Sequence, residues 1–122
     1  MAKVRRTFSA WIPRYISTLH TKNYSENTIE AYTRVLKLFA KYQTYLTEHD
    51  GELPETTEDF SEYGMGAEID VSAYEIVDFF TLIRNERHLS AASIHQYDSA
   101  LSSFYRYLIV QDLLEANPMD KV

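Results

Sequence analysis

The sequence contains no cysteine. That excludes a disulfide framework, a thiolate metal site and a cysteine nucleophile. Its three glycines and three prolines are too few turn formers for a sandwich or barrel of many short strands. Long apolar runs are also missing, so the sequence offers no candidate membrane span. The N-terminus opens on basic residues, but Ser9, Pro13 and Arg14 interrupt the next stretch, and no secretory apolar segment forms. Asn23-Tyr24-Ser25 matches the glycosylation sequon, which without a secretion signal reads as chance; the protein is expected in the cytoplasm. His20, His49, His88 and His95 show no metal-ligand spacing, and Gly64-Met65-Gly66 is too short for a phosphate loop. Asp98 and His95 could meet across a helical turn, but no nucleophile completes a triad. No cofactor, metal or small-molecule ligand is expected.

What the sequence has in quantity is aromatic residues, ten of them tyrosine, and charge that is unevenly placed. A length of 122 residues fits one domain with a real core. The net charge of −6 speaks against a nucleic-acid partner if it is spread evenly. It is not. Residues 1–49 carry eight Lys or Arg against three acids; residues 50–70 carry eight acids and no base. Residues 71–122 carry four bases against seven acids. The middle stretch also holds all three glycines and Pro54, with little helical periodicity, and reads as a long, mobile, acidic loop.

Four amphipathic segments flank that loop. Phe8, Trp11, Ile12, Tyr15, Ile16 and Leu19 recur at steps of three and four, one face of a helix. Pro13 belongs in a first turn, so this helix is expected to start between Ser9 and Ile12. The second follows a Ser25 N-cap, stapled by Tyr24 and Ile29, and runs about 23 residues to His49-Asp50-Gly51. The third opens with the capping box Ser72-Ala73-Tyr74-Glu75 and ends around Asn85–Arg87. Its wide apolar face of Tyr74, Ile76, Val77, Phe79, Phe80, Leu82 and Ile83 predicts that it is largely buried. The fourth starts at Ser90, stapled by Leu89 and Ile94, and breaks at Asn117-Pro118.

The second and fourth segments repeat one frame at an offset of 65 residues. Ser25, Ile29, Tyr32, Leu36, Phe39 and Tyr42 match Ser90, Ile94, Tyr97, Leu101, Phe104 and Tyr107, identical at all six places. Any capped amphipathic helix would share the spacing, but less readily the same residue at each step. The pattern predicts two related helix pairs that pack on each other to bury their faces.

Three stretches carry a family resemblance. They are Tyr24-Ser25-Glu26-Asn27-Thr28-Ile29-Glu30-Ala31-Tyr32, the run from Leu89 to Leu108, and the terminal Glu115-Ala116-Asn117-Pro118. Together they resemble the N-terminal core-binding domain of tyrosine recombinases, the phage integrase and Xer-like family, over roughly residues 8–120. The resemblance implies an all-α, SAM-like orthogonal bundle of four main helices in two hairpins. It also implies half of a clamp on duplex DNA, with the second and fourth helices facing the major groove and neighbouring protomers touching. Double-stranded DNA and other recombinase protomers are then the expected partners. In the family the catalytic arginines, histidines and nucleophilic tyrosine lie in a domain beyond the Asn-Pro linker. This chain is accordingly expected not to be an enzyme by itself, and none of its tyrosines is assigned the nucleophile's part. The expected layout is one domain over residues 1–122. It has a flexible basic arm at 1–7, the acidic loop at 50–70 and the start of a linker at 115–122. Thr33, Gln96 and Ser102 stand where family members often have Arg or Lys, so the isolated domain is expected to bind DNA weakly.

Residues off the apolar stripes supply the candidate contacts. On the second helix Asn27, Arg34, Lys37 and Lys41 lie on one face with Glu30, and Thr28 lies near the helix N-terminus. Lysine and arginine suit phosphate as charge, and Asn27 and Thr28 suit phosphate oxygens at the helix end. Glu30 and Arg34 could equally pair with each other across one turn. On the fourth helix Ser93, Gln96, Ser103 and Arg106 form a polar face with His95 beside it, and Gln96 suits an adenine edge. Lys3, Arg5 and Arg6 would lie along phosphates or merely solubilise the terminus. The rival reading is a helical protein-interaction or oligomerisation domain with no DNA affinity of its own.

Overall fold

A computed structural model describes residues 5–122. Its helices are α1 (Phe8–Thr21), α2 (Glu26–Glu48), α3 (Ala73–Arg87) and α4 (Ala91–Val110). Two short 3₁₀ turns, Thr57–Phe60 and Pro118–Lys121, complete the regular structure. Among the described residues there is no strand, only an isolated antiparallel bridge between Thr7 and Glu68. The all-α expectation therefore holds.

One phenylalanine from each helix meets at the centre. Phe8, Phe39, Phe79 and Phe104 are all fully buried. Phe8 meets Phe39 edge-on at 5.7 Å between ring centroids and stacks on Phe104 at 6.0 Å. Phe39 in turn meets Phe79 edge-on at 5.1 Å. Such geometries place the positive ring edge near a neighbour's negative face and add about 0.5–1.5 kcal/mol per pair beyond area burial.

The two copies of the repeat are capped alike. Ser25 Oγ accepts from Thr28 N at 3.2 Å, and Ser90 Oγ accepts from Ser93 N at 3.2 Å. Leu36, Phe39 and Tyr42 are buried in the first copy, as are Tyr97, Leu101 and Phe104 in the second. α2 and α4 pack directly on each other. Tyr24, expected to staple α2, is 40% exposed and lines a groove that Arg106 and Lys22 also line.

Several expectations need correction. Helix α1 starts at Phe8, with Thr7 as its cap, which leaves Pro13 at the sixth helical residue. The early start is possible because the segment 60–70 satisfies the first turn. Phe8 N donates to the Ala67 carbonyl at 3.1 Å and Ser9 N to the Met65 carbonyl at 2.9 Å.

The stretch 50–70 is not a mobile loop but a packed one. Phe60, Ala67 and Ile69 are buried in the core. Tyr105 Oη donates to the Ile69 carbonyl at 2.8 Å, and Thr44 Oγ1 accepts from Ala67 N at 3.2 Å. Glu86 clips the 3₁₀ turn by accepting from Thr57 N at 2.7 Å and Thr57 Oγ1 at 2.8 Å. The acids face outward: Glu52, Glu55, Glu58, Asp59, Glu62, Glu68 and Asp70 are all exposed.

The basic arm is pinned over its described part. The Arg5 carbonyl accepts from Trp11 Nε1 at 2.6 Å and the Arg6 carbonyl from Ile69 N at 2.9 Å. Lys3 lies outside the described residues. Near the C-terminus Met119 is buried, and Asn117 Nδ2 donates to the Ser102 carbonyl at 3.1 Å. Finally, α3 buries only Ile76, Phe79 and Ile83, while Tyr74 is 68% and Val77 44% exposed. A 15-residue helix lying on one side of the bundle covers one stripe, not its circumference.

Candidate nucleic-acid interface

α2 and α4 leave a groove of about 340 Å³ along their shared edge. Arg34 enters it from α2, and Ser93 and Gln96 from α4. Residues far apart in sequence thus form one surface. Val35, Leu38 and Leu89 give the groove an apolar wall. Arg87, from the last turn of α3, lines the same groove, and its Nη1 donates to Tyr97 Oη at 3.3 Å. The faces of α2 and α4 alone do not reveal it. The available signal was a base three residues ahead of the Ser90 cap, where the αL residue His88 turns the chain from α3 into α4.

The other candidates scatter. Lys37 is exposed on α2, beside the groove residues in helical register. Lys41 is half-buried, and its Nζ donates to the Ser61 carbonyl at 3.1 Å, tying α2 to the acidic stretch. His95 faces a neighbouring hollow with Arg84 and Asp98, apart from Gln96. Ser103 and Arg106 line a further groove between α1 and α4, together with Lys22, a second base that the helix faces alone do not reveal. Ser103 Oγ accepts from Tyr15 Oη at 2.6 Å. Asn27 is exposed at the start of α2; the Thr28 hydroxyl accepts from Ser25 Oγ at 2.9 Å.

The electrostatics favour an acceptor-rich ligand at the groove. Among the described residues the one ion pair within 4 Å is His20–Glu26 at 3.9 Å. Arg34 is therefore not neutralised by Glu30. Glu86, next to Arg87, is committed to Thr57. Three buried tyrosines are held neutral. Burial pushes the Tyr15 phenol up to about 12, against the lowering effect of its hydrogen bond with Ser103. Burial also pushes Tyr42 and Tyr105 well up, and Asp78, Asp70 and Glu75 add to the effect by repelling a phenolate. Among the described residues no group of three or more His, Asp or Glu could hold a metal ion. No described helix is long and apolar enough to cross a membrane.

Comparison with known proteins agrees with this architecture. Residues 11–115 match the family described as phage integrase, N-terminal SAM-like domain. The chain belongs to that family. A tyrosine recombinase XerC from Pediococcus pentosaceus is 33% identical over 101 residues, which is 83% of this chain and 28% of that protein. The chain therefore spans a little over a quarter of the length of this relative. No solved structure gives a significant match.

Proposed function

We propose that this domain binds duplex DNA within a site-specific tyrosine recombinase, laying the edge shared by α2 and α4 against the double helix during DNA integration or recombination. The observation that carries the reading is the α2–α4 groove, where Arg34, Arg87, Ser93 and Gln96 converge without a neutralising carboxylate. Arg34 and Lys37 suit phosphates, and Gln96 suits a base edge. Arg106 and Lys22 extend the basic surface along α4 toward α1, with Ser103 lining the same groove. Lys41 and His95 take lesser parts, since one ammonium is already bonded and the other ring faces away. Asn27 and Thr28 suit a phosphate at the start of α2. Strand cleavage is not assigned to any residue of this chain. Work on DNA suits a cytoplasmic protein.

The test is binding of a labelled duplex across a salt series. Arg34→Ala and Lys37→Ala should each weaken binding about equally for all sequences, and each should lower the slope of log affinity against log salt by about one. Salt-insensitive binding, or none at low salt, would overturn the proposal. A second reading has its own support: Tyr74 and Val77 expose apolar surface on α3, which suits contact with a neighbouring protomer. Concentration-dependent self-association without DNA affinity, seen by sedimentation, would favour that reading alone.

A further inference from the structure

We infer that Arg87 is a sequence-reading residue of this domain, a guanidinium fork that Tyr97 holds in the α2–α4 groove to meet a guanine edge. The inference rests on the DNA-binding reading above and goes beyond it, from affinity to base preference.

Three observations converge on Arg87. The first is anchoring. Arg87 Nη1 donates to Tyr97 Oη at 3.3 Å, and Tyr97 is only 9% exposed, its ring 6.2 Å from that of Phe79. A surface arginine ordinarily surrenders much rotamer freedom when it binds; one tethered to a buried ring surrenders less. Tyr97 uses one of the five guanidinium N–H donors, so a pair of parallel donors remains for a ligand.

The second is the absence of a competing anion. No carboxylate lies within 4 Å of Arg87 among the described residues. The adjacent acid, Glu86, spends both oxygens on Thr57. The third is the company Arg87 keeps. A phosphate needs only a cation on an exposed rim, which Lys37 already offers. The groove instead gathers Arg87 and Gln96, with Arg34 on its α2 side, over an apolar wall of Leu38 and Leu89. Guanine presents O6 and N7 as paired acceptors to an arginine fork, adenine presents N6 and N7 to an amide, and thymine presents a methyl group to an apolar wall.

The experiment enriches duplexes from a random library with the whole chain, then measures affinity by anisotropy. Wild type should enrich a motif with a required guanine. Arg87→Ala should lose that one position and bind the enriched duplex roughly 5- to 150-fold more weakly, with little change on a duplex lacking the guanine. Arg87→Lys should not rescue it, because a point charge cannot make the paired contact. Tyr97→Phe should keep the motif and weaken binding to it, since the hydroxyl acts only by positioning the fork. Lys37→Ala should lower affinity alike for both duplexes. The inference is overturned if Arg87→Ala lowers affinity equally on all duplexes, if it enriches the wild-type motif, or if wild type shows no preference. In each of those cases the DNA-binding reading survives. If wild type binds no duplex even at low salt, both fall. Retained helical circular dichroism for each variant separates a binding loss from unfolding.

Discussion

Two tyrosines carry buried hydroxyls in opposite situations. Tyr105 donates at 2.8 Å to the Ile69 carbonyl, while Tyr42 Oη is buried with no hydrogen-bond partner. Removing the first hydroxyl leaves a buried carbonyl unsatisfied, which costs about 1–3 kcal/mol. Removing the second relieves a polar group of an unfavourable burial. Tyr105→Phe should therefore destabilise by about 1–3 kcal/mol in equilibrium denaturation, and Tyr42→Phe should be neutral or stabilising. Equal losses would refute the distinction. Sequence periodicity places Tyr42 in the core, because the step from Phe39 to Tyr42 repeats the helical period. It cannot foresee Tyr105, which lies outside the repeat frame. Its hydroxyl meets a backbone group 36 residues away. The same limit explains the candidate contacts. Arg34 and Gln96 can be read from the faces of their own helices, but Arg87 becomes visible only when three chain segments meet.

At the scale of the element, boundaries set by local chemistry are legible in the sequence and boundaries set by distant partners are not. Ser25, Ser72 and Ser90 cap their helices because a side-chain oxygen or its box partner three residues on meets the orphan N–H groups nearby. The α1 start escapes the sequence because its first N–H groups are satisfied by carbonyls near residue 66, a contact that no window around Pro13 contains. The acidic stretch resembles a free loop for a related reason. Phe60, Ala67 and Ile69 anchor it at irregular intervals, so neither helical nor strand periodicity emerges, and eight carboxylates dominate its composition. The matching caps allow a quantitative check. Ser25→Ala and Ser90→Ala should each cost about 1 kcal/mol, and the two losses should agree closely because the bonds agree in length. Thermal unfolding of the pair measures this, and a cost confined to one of them would break the equivalence of the two repeats.

The aromatic core gives the whole molecule an alkaline limit. Tyr15 is pushed up to about 12 in the folded protein, and Tyr42 and Tyr105 are also pushed well up, mainly by burial. In the unfolded chain a tyrosine titrates near 10. The folded state thus holds these protons more tightly. That contribution to stability is fully present below pH of about 10 and is lost as pH rises through the folded values. Helicity and Trp11 fluorescence should stay level to about pH 10 and then fall together, with tyrosinate absorbance rising in the same step. Ionisation of these tyrosines without unfolding would contradict the burial account.

Charge organises the other whole-molecule property. The acidic stretch is fastened by Lys41 to α2 and by Glu86 to the end of α3, the two elements that supply Arg34 and Arg87 to the groove. Its carboxylates are therefore tied to the same two helices as the groove arginines and, on the DNA-binding reading, would oppose an approaching phosphate backbone. The opposition acts through solvent and is screened, with a reach of about 30 Å at 0.01 M salt and about 8 Å at 0.15 M. Glu55, Glu58 and Glu62 are exposed and make no side-chain hydrogen bond among the described residues, so replacing all three with Gln should leave the fold intact. The triple variant should bind duplex DNA several-fold more tightly at low salt. The gain should come mainly from faster association and should shrink toward nothing near physiological ionic strength. A gain that persisted at high salt would mean that the carboxylates touch the DNA directly. No gain at low salt would mean that the duplex approaches a different face of the bundle.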